Sequence, residues 1–145
     1  MPKSRKPRNT GCPFAYSLDV FGDRWSLIII RDMLFQGFQT YGEFQSSQEG
    51  IATNILADRL AHLEANGLIS KTRDPKNGRR NLYHLTEKGA DLGRLMLEIA
   101  RWGAKYDPQT TAKDSIMQRI EDDPDTYAAQ LKSDAIARAE NPETS

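Results

Sequence analysis

Cys12 stands directly before Pro13 in the run CPFAYSLDVF. A proline at the first helical position forfeits no hydrogen bond, so Pro13 marks a helix start and puts Cys12 at its cap or one residue before. The partial positive charge of a helix start favours a thiolate, and the cations Lys3, Arg5, Lys6 and Arg8 lie just upstream. Cys12 is therefore a candidate redox or electrophile sensor. As the chain has one cysteine, a resolving thiol has to come from another subunit or a small molecule. The opposing reading is a small apolar residue packed at a seam. His62 and His84 lie far apart, and no Cys/His/Asp cluster has metal-ligand spacing. No phosphate-cradling glycine loop and no nucleophile elbow occurs. The expectation is a protein with no metal, no cofactor and no enzymatic reaction.

The stretch GIATNILADRLAHLEANGLI, residues 50–69, offers recognition instead of catalysis. At about 100° per residue, Ala52, Leu56, Leu60 and Leu63 gather on one side of a helix. Asn54, Ala57 and Ala61 lie opposite, with Thr53, Asp58 and His62 on the flanks and Arg59 at the edge of the apolar cluster. Small residues permit close approach, and amides and hydroxyls read hydrogen bonds. Asn54 is the best base reader of the set, because an amide can bond adenine bidentately. Gly67 is a left-handed helix stop.

Elements must hold this helix against its target. Phe14, Leu18 and Phe21 follow Pro13 at helical spacing, and Gly22 ends that helix. Asp23 caps the next one, whose face of Trp25, Ile28, Ile29 and Met33 makes it the central buried helix, stopped by Gly37. Thr40 with Glu43 forms a capping-box pattern for a short third helix, with Tyr41 and Phe44 facing inward. After Gly67, the stretches 68–73 and 79–85 flank DPKNG, with Asn77 and Gly78 expected at positive φ at the tip of a hairpin. Lys71, Arg73, Lys76, Arg79 and Arg80 crowd that hairpin against the single acid Asp74. Thr86 caps a long helix expected over 87–105, with an apolar stripe of Leu92, Leu95, Met96, Ile99 and Trp102.

Helix, helix, short helix, helix, basic hairpin and long helix is the order of a winged helix-turn-helix, mainly α with a small β-hairpin wing. In that architecture the second helix of the turn enters the major groove of double-stranded DNA, and wing cations neutralise phosphates. Thr53, Asn54, Ala57 and Asp58 are then expected to face the groove. Arg59 and His62 would reach phosphate from the helix edges, and Thr40 would offer its helix-start amides. Lys76, Asn77, Arg79 and Arg80 would form the wing contact. Arg24 could reach phosphate or pair with Asp23. Trp25 and Trp102 read as core rather than as the walls of a ligand pocket.

These motifs support a resemblance. The run from Cys12-Pro13 through Leu18-Asp19-Val20 and Gly22-Asp23-Arg24-Trp25, the helix GIATNILADRLAHLEANGLI, and YHLTEKG together resemble the HxlR-type regulators, a MarR-related winged-helix group. The resemblance covers Gly11 to Trp102. The chain departs from it at Ala52, where the family often caps with Ser, and at the longer, more basic wing tip NGRRN. It also continues past the family's usual end. The resemblance implies a homodimer joined through the N-terminal segment and the long C-terminal helix, with Phe14, Leu18, Leu92, Leu95, Met96, Ile99 and Trp102 at the interface. A two-fold dimer reads a pseudo-palindromic operator of two half-sites about one helical turn apart. In some such regulators the cysteine at the position of Cys12 senses thiol-reactive compounds, so an electrophile or small-molecule effector is an expected partner.

Charge agrees in part. The net charge is zero, yet residues 1–90 carry thirteen Lys/Arg against nine Asp/Glu, and residues 91–145 carry seven against eleven. A polyanion would meet the front. The domains read as a basic flexible arm over 1–10, the winged domain over 11–105, and an acidic extension over 106–145, with one short helix over 127–139 and the rest weakly ordered. No apolar run is long enough to span a bilayer, and a lone cysteine fits a cytoplasmic protein. Together these observations favour a sequence-specific DNA-binding repressor. The alternative is a winged-helix module that binds protein through the same helix face.

Overall fold

The structure, a computed structural model that describes residues 10–141, is mostly helical with one two-stranded antiparallel hairpin. The basic arm, apart from Thr10, lies outside the described residues. Helix α1 spans Pro13–Phe21 and ends at Gly22, where a Cβ would sit 2.4 Å from the Leu18 carbonyl oxygen. Asp23 then caps α2, Arg24–Arg31, accepting from the Ser26 N–H at 2.9 Å and from the Ser26 hydroxyl at 2.6 Å. The helix does not simply stop. Its last turn widens into a π turn, Asp32–Gln36, closed by Gly37 at φ 70°.

Helix α3, Tyr41–Gln45, starts on the expected capping box. Thr40 Oγ1 accepts from the Glu43 N–H, while Glu43 Oε1 accepts from the Thr40 and Gln39 N–H groups. Helix α4, Thr53–Ala65, follows a short turn. Its N-cap is Ala52, which has no hydroxyl to offer, so the helix starts without a side-chain cap. Gly67 at φ 78° ends it and feeds strand β1, Ile69–Asp74, which pairs with β2, Asn77–Leu85. One core holds these pieces together. Ile29, Ile30, Met33 and Leu34 meet Phe44, then Leu56, Leu60 and Leu63 of α4, then Leu68 and Leu85 under the hairpin. The three α4 leucines recur at four- and three-residue spacing, which places them on one face.

Four expectations need correction. The hairpin turn is Pro75-Lys76 between the strand ends, and Gly78 lies inside β2 without a positive φ. Asp74 makes this possible: its carboxylate accepts from the Lys76 N–H at 2.8 Å and from Arg80 Nε at 2.6 Å, closing the turn without a left-handed residue. Second, the long helix is broken. Helix α5, Glu87–Ala90, ends at Asp91, and α6 runs Gly93–Tyr106 with Leu92 as its N-cap. Gly89 lies so close to the Leu68 carbonyl that a Cβ would come within 2.1 Å, so α5 lies flush on the hairpin base. Gly93, by contrast, faces Ala128 further along the chain. The break, at Asp91 and Leu92, falls between these two close contacts.

Third, the extension is built into the core. Helix α7 spans Asp114–Asp122 and α8 spans Pro124–Glu140, with Pro124 at the first position and Asp123 accepting from the Thr126 N–H. Tyr127, Leu131 and Ala135, spaced by four, are buried with Ile120 in the same cluster as the α2 and α4 residues. Fourth, Met96 is only 6% exposed and belongs to that core, so it leaves the set of surface residues expected to form an interface.

The hairpin base also buries a titratable group. His84 Nδ1 lies 3.3 Å from Gln39 Nε2, and its Nε2 lies 3.2 Å from Thr72 Oγ1. Burial pushes its pKa below the ordinary 6.5. Above 6.5 both folded and unfolded chains hold it neutral; below 6.5 the unfolded chain takes the proton first, so stability falls with pH through that window. Thermal unfolding from pH 7.5 to 5 is expected to show a steeper loss for wild type than for His84→Gln. Parallel curves would mean that His84 does not contribute.

Candidate nucleic-acid interface

The outer face of α4 carries Thr53, Asn54, Ala57 and Ala61, all exposed. None of these is a long charged side chain, so a base edge can come close to the backbone here. The start of α4 is held from below. Tyr41 of α3, half-buried, donates its hydroxyl hydrogen to the Thr53 carbonyl at 2.7 Å. That bond ties the first turn of α4, where Asn54 sits, to α3. The inward position expected for Tyr41 gave no sign of it, because a tyrosine packed inside and one clamping a neighbour have the same spacing.

Tyr41 also borders a groove of about 340 Å³ between α3 and β2, lined by Thr40, Tyr41, Gly42, Arg79, Arg80, Asn81 and Tyr83. Tyr41 thus links the start of α4 to this groove and, across it, to the hairpin. On the wing, Lys76 and Arg79 are exposed, and their side chains meet no acid among the described residues. Arg80 is held by Asp74 through Nε. The Lys76 N–H and Arg80 together hold the Asp74 carboxyl below the usual range. Asn77 is occupied by its own turn, its Oδ1 accepting from the Arg79 N–H at 3.2 Å. Arg73 spends a donor on the Gly78 carbonyl at 2.8 Å.

Three residues expected at phosphate or base are used inside the protein. Arg59 pairs with Asp58, its chain neighbour, and with Asp23 Oδ1 at 3.3 Å, and its side chain is 17% exposed. Asp58 is thereby turned aside from the reading face. Burial would raise the Asp23 carboxyl, but the Ser26 donors and Arg59 outweigh it and hold the pKa below the usual range. His62 Nε2 lies 2.7 Å from the Val20 carbonyl oxygen, joining α4 to α1. Arg59 and His62 therefore brace α4 against the α1–α2 corner. The position of Arg59 beside the apolar cluster was the signal for this role. At Thr40 the capping box occupies the side chain. Arg24 stacks over the Trp25 ring, 5.2 Å from its centroid, and Trp25 packs against the core.

Helices α1 and α6 each expose apolar side chains. Phe14 is 79% exposed, Leu18 62% and Trp102 63%, with Ile99 and Tyr106 beside Trp102 on α6. Trp102 does not join the core, and it stacks on Tyr106 with centroids 5.2 Å apart. Leu92 and Leu95 are half-buried. Cys12 is exposed at the N-cap of α1, two residues before Phe14. Among the described residues no group of acids, histidines and thiol could hold a metal ion, and no helix is long and apolar enough to cross a membrane.

Comparison with known proteins gives one family. Residues 20–111 match the HxlR-like helix-turn-helix family. The HTH-type transcriptional regulator YvaP of Bacillus subtilis (strain 168) is 30% identical over 96 residues, covering 66% of this chain and 88% of that protein. Among solved structures, PA1607, a proposed transcription factor, is 40% identical, with 72% of this chain and 73% of that chain covered and a TM-score of 0.65. The redox regulator HypR in its oxidised form is 29% identical, with 65% and 96% covered and a TM-score of 0.58. With its turn, reading helix and basic wing in the order and geometry described, the chain belongs to the HxlR-like family of DNA-binding helix-turn-helix transcriptional regulators and is not an enzyme.

Proposed function

We propose that this chain is a cytoplasmic homodimeric repressor that binds a two-fold-related operator. Thr53, Asn54 and Ala57 enter the major groove, with Asn54 reading a base, and Lys76, Arg79 and the outer edge of Arg80 rest on phosphates. The observation that carries this reading is the linkage at Tyr41, which holds the start of α4, with its small, amide-bearing face, and lines the groove that the wing arginines border. Phe14 and Leu18 of one subunit meet Ile99 and Trp102 of the other, with Leu92 and Leu95 at the rim. This places two reading helices on one face of the duplex. Cys12 lies beside that seam, exposed, which supports a thiol-reactive signal that alters how the two heads are spaced. If Cys12→Ser responds to an oxidant as wild type does, the thiol signal is ruled out.

Two substitutions separate reading from holding. The duplex is one selected by the wild-type protein from a random library, compared with a scrambled one by fluorescence anisotropy over a salt series. Asn54→Ala is expected to lose about 1–3 kcal/mol on the selected duplex and far less on the scrambled one. Arg79→Ala is expected to weaken both alike and to reduce the salt slope by about one. Equal losses on both duplexes for Asn54→Ala would mean that it positions the helix and reads nothing.

A further inference from the structure

The π turn leaves a carbonyl unpaired within its own helix. The Gly37 and Phe38 N–H groups both point to the Asp32 carbonyl, the latter at 3.2 Å, and so pass over Met33. The Met33 carbonyl accepts instead from Arg138 Nη2 of α8 at 2.9 Å, across 105 residues of chain. The same side chain lies over Gly37: its Cδ, Nε and Cζ are each 3.6 Å from where a Cβ would stand. A glycine at φ 70° and an arginine across it fit each other, and Tyr127 adds an edge contact to Phe35 of the turn at 6.4 Å.

The other side of the π turn faces the reading head. Asp32, buried, is held by Arg31 through Nε at 3.0 Å and Nη2 at 2.8 Å. Arg31 also reaches Glu49 at 3.0 Å and the Ser47 hydroxyl at 3.3 Å. Ser47 and Glu49 lie in the connection from α3 to α4, one turn before Thr53. An unbroken series of bonds thus runs from α8 through the π turn and Arg31 to the connection that aims the reading helix. Helix α8 lies beyond residues 20–111, the part shared with the family.

We propose that Arg138 is a positioning residue for DNA reading: by filling the Met33 carbonyl and covering Gly37 it fixes the π turn, and through Arg31 the α3–α4 connection. This rests on the DNA-reading role proposed above, and its physical content is tested without DNA. Amide hydrogen exchange of the full chain is compared for wild type, Arg138→Ala, Arg138→Lys and Lys132→Ala. Lys132 ties α8 to Glu87 and Asp91 and does not touch the π turn. Arg138→Ala is expected to speed exchange over residues 46–51 about fivefold, the size of coupling carried by such networks. Arg138→Lys, which keeps the stem over Gly37 and one donor, is expected to restore most of the protection. Lys132→Ala is expected to loosen α8 and leave 46–51 unchanged. Should Arg138→Ala melt α8 by circular dichroism, Arg138→Met, which keeps the stem alone, takes its place.

Exchange that quickens only in α8 and the π turn, or equally at 46–51 in Lys132→Ala, would overturn the proposal. On the selected duplex, Arg138→Ala is expected to bind about fivefold more weakly, with scrambled DNA unaffected. Unchanged affinity alongside faster exchange would also overturn it. A wild-type protein that selects no duplex would count against the DNA reading itself, and the exchange result would still decide the link from Arg138 to the connection.

Discussion

Tyr127→Ala is expected to destabilise the whole protein by about 3–5 kcal/mol, the cost of truncating a buried aromatic to alanine. Tyr127 lies on α8, past the segment shared with the family, yet it is wedged edge-on against Phe35 with Arg119 stacked over its ring at 4.0 Å. The loss would fall on a net stability of about 5–15 kcal/mol for a typical domain, so it would take a large share. Urea denaturation followed by circular dichroism measures it. Gln130→Ala, on the exposed side of α8, is the control and should stay within about 0.5 kcal/mol of wild type. A single transition that shifts for Tyr127→Ala means that α8 and the winged domain unfold together. A loss below about 1 kcal/mol, or a separate early transition, would mean that the extension docks and undocks on its own.

Trp102→Glu is expected to abolish the dimer proposed above. Trp102 and Tyr106 form an exposed aromatic stack on α6, and Phe14 and Leu18 make a matching exposed pair on α1. Aromatic anchors at the centre of such a patch carry a large share of association energy, about 2–4 kcal/mol each, and a carboxylate there adds a desolvation penalty. The dimer dissociation constant should rise by at least about a hundredfold, since about 1.4 kcal/mol is tenfold. Sedimentation across a concentration series reads this directly. Affinity for a duplex with two half-sites should fall by about 10²-fold, because the second head no longer binds at high effective concentration, while a single half-site should be bound as before. A wild-type protein that sediments as a monomer at every concentration would remove the dimer from the reading.

Much of the reading head was legible in the amino-acid order. Thr40 and Glu43, Asp23 and Ser26, Thr86, and the left-handed Gly37 and Gly67 declare helix ends through contacts that reach only two to four residues. Leu56, Leu60 and Leu63 declare the buried face of α4 by their period, and so its opposite face, where Asn54 stands. The motifs from Cys12 to Gly89 were enough to name the family that residues 20–111 match. These features share one cause: each is local, so spacing along the chain is nearly the same as spacing in space.

The tertiary structure decided which partner each versatile side chain takes. Arg59, His62 and Asp58 sit on the flanks of α4, where helical geometry allows either phosphate or protein; Asp23 and the Val20 carbonyl, both distant in sequence, drew Arg59 and His62 inward. Met96 shares a stripe with Trp102, but Met96 joins the core cluster that holds the α8 residues while Trp102 stays exposed. The acidic extension reads as weakly ordered because its apolar residues are few, and only the waiting surface of Phe35 and Gly93 makes Tyr127, Leu131 and Ala135 worth burying. Arg138 is the extreme case: its partner is a carbonyl exposed by a π turn, a defect in backbone pairing that no residue type announces. Local order chose the elements from α1 to the hairpin; the long-range contacts, which depend on where distant chain segments come to lie, chose what their side chains do and drew the extension into the core.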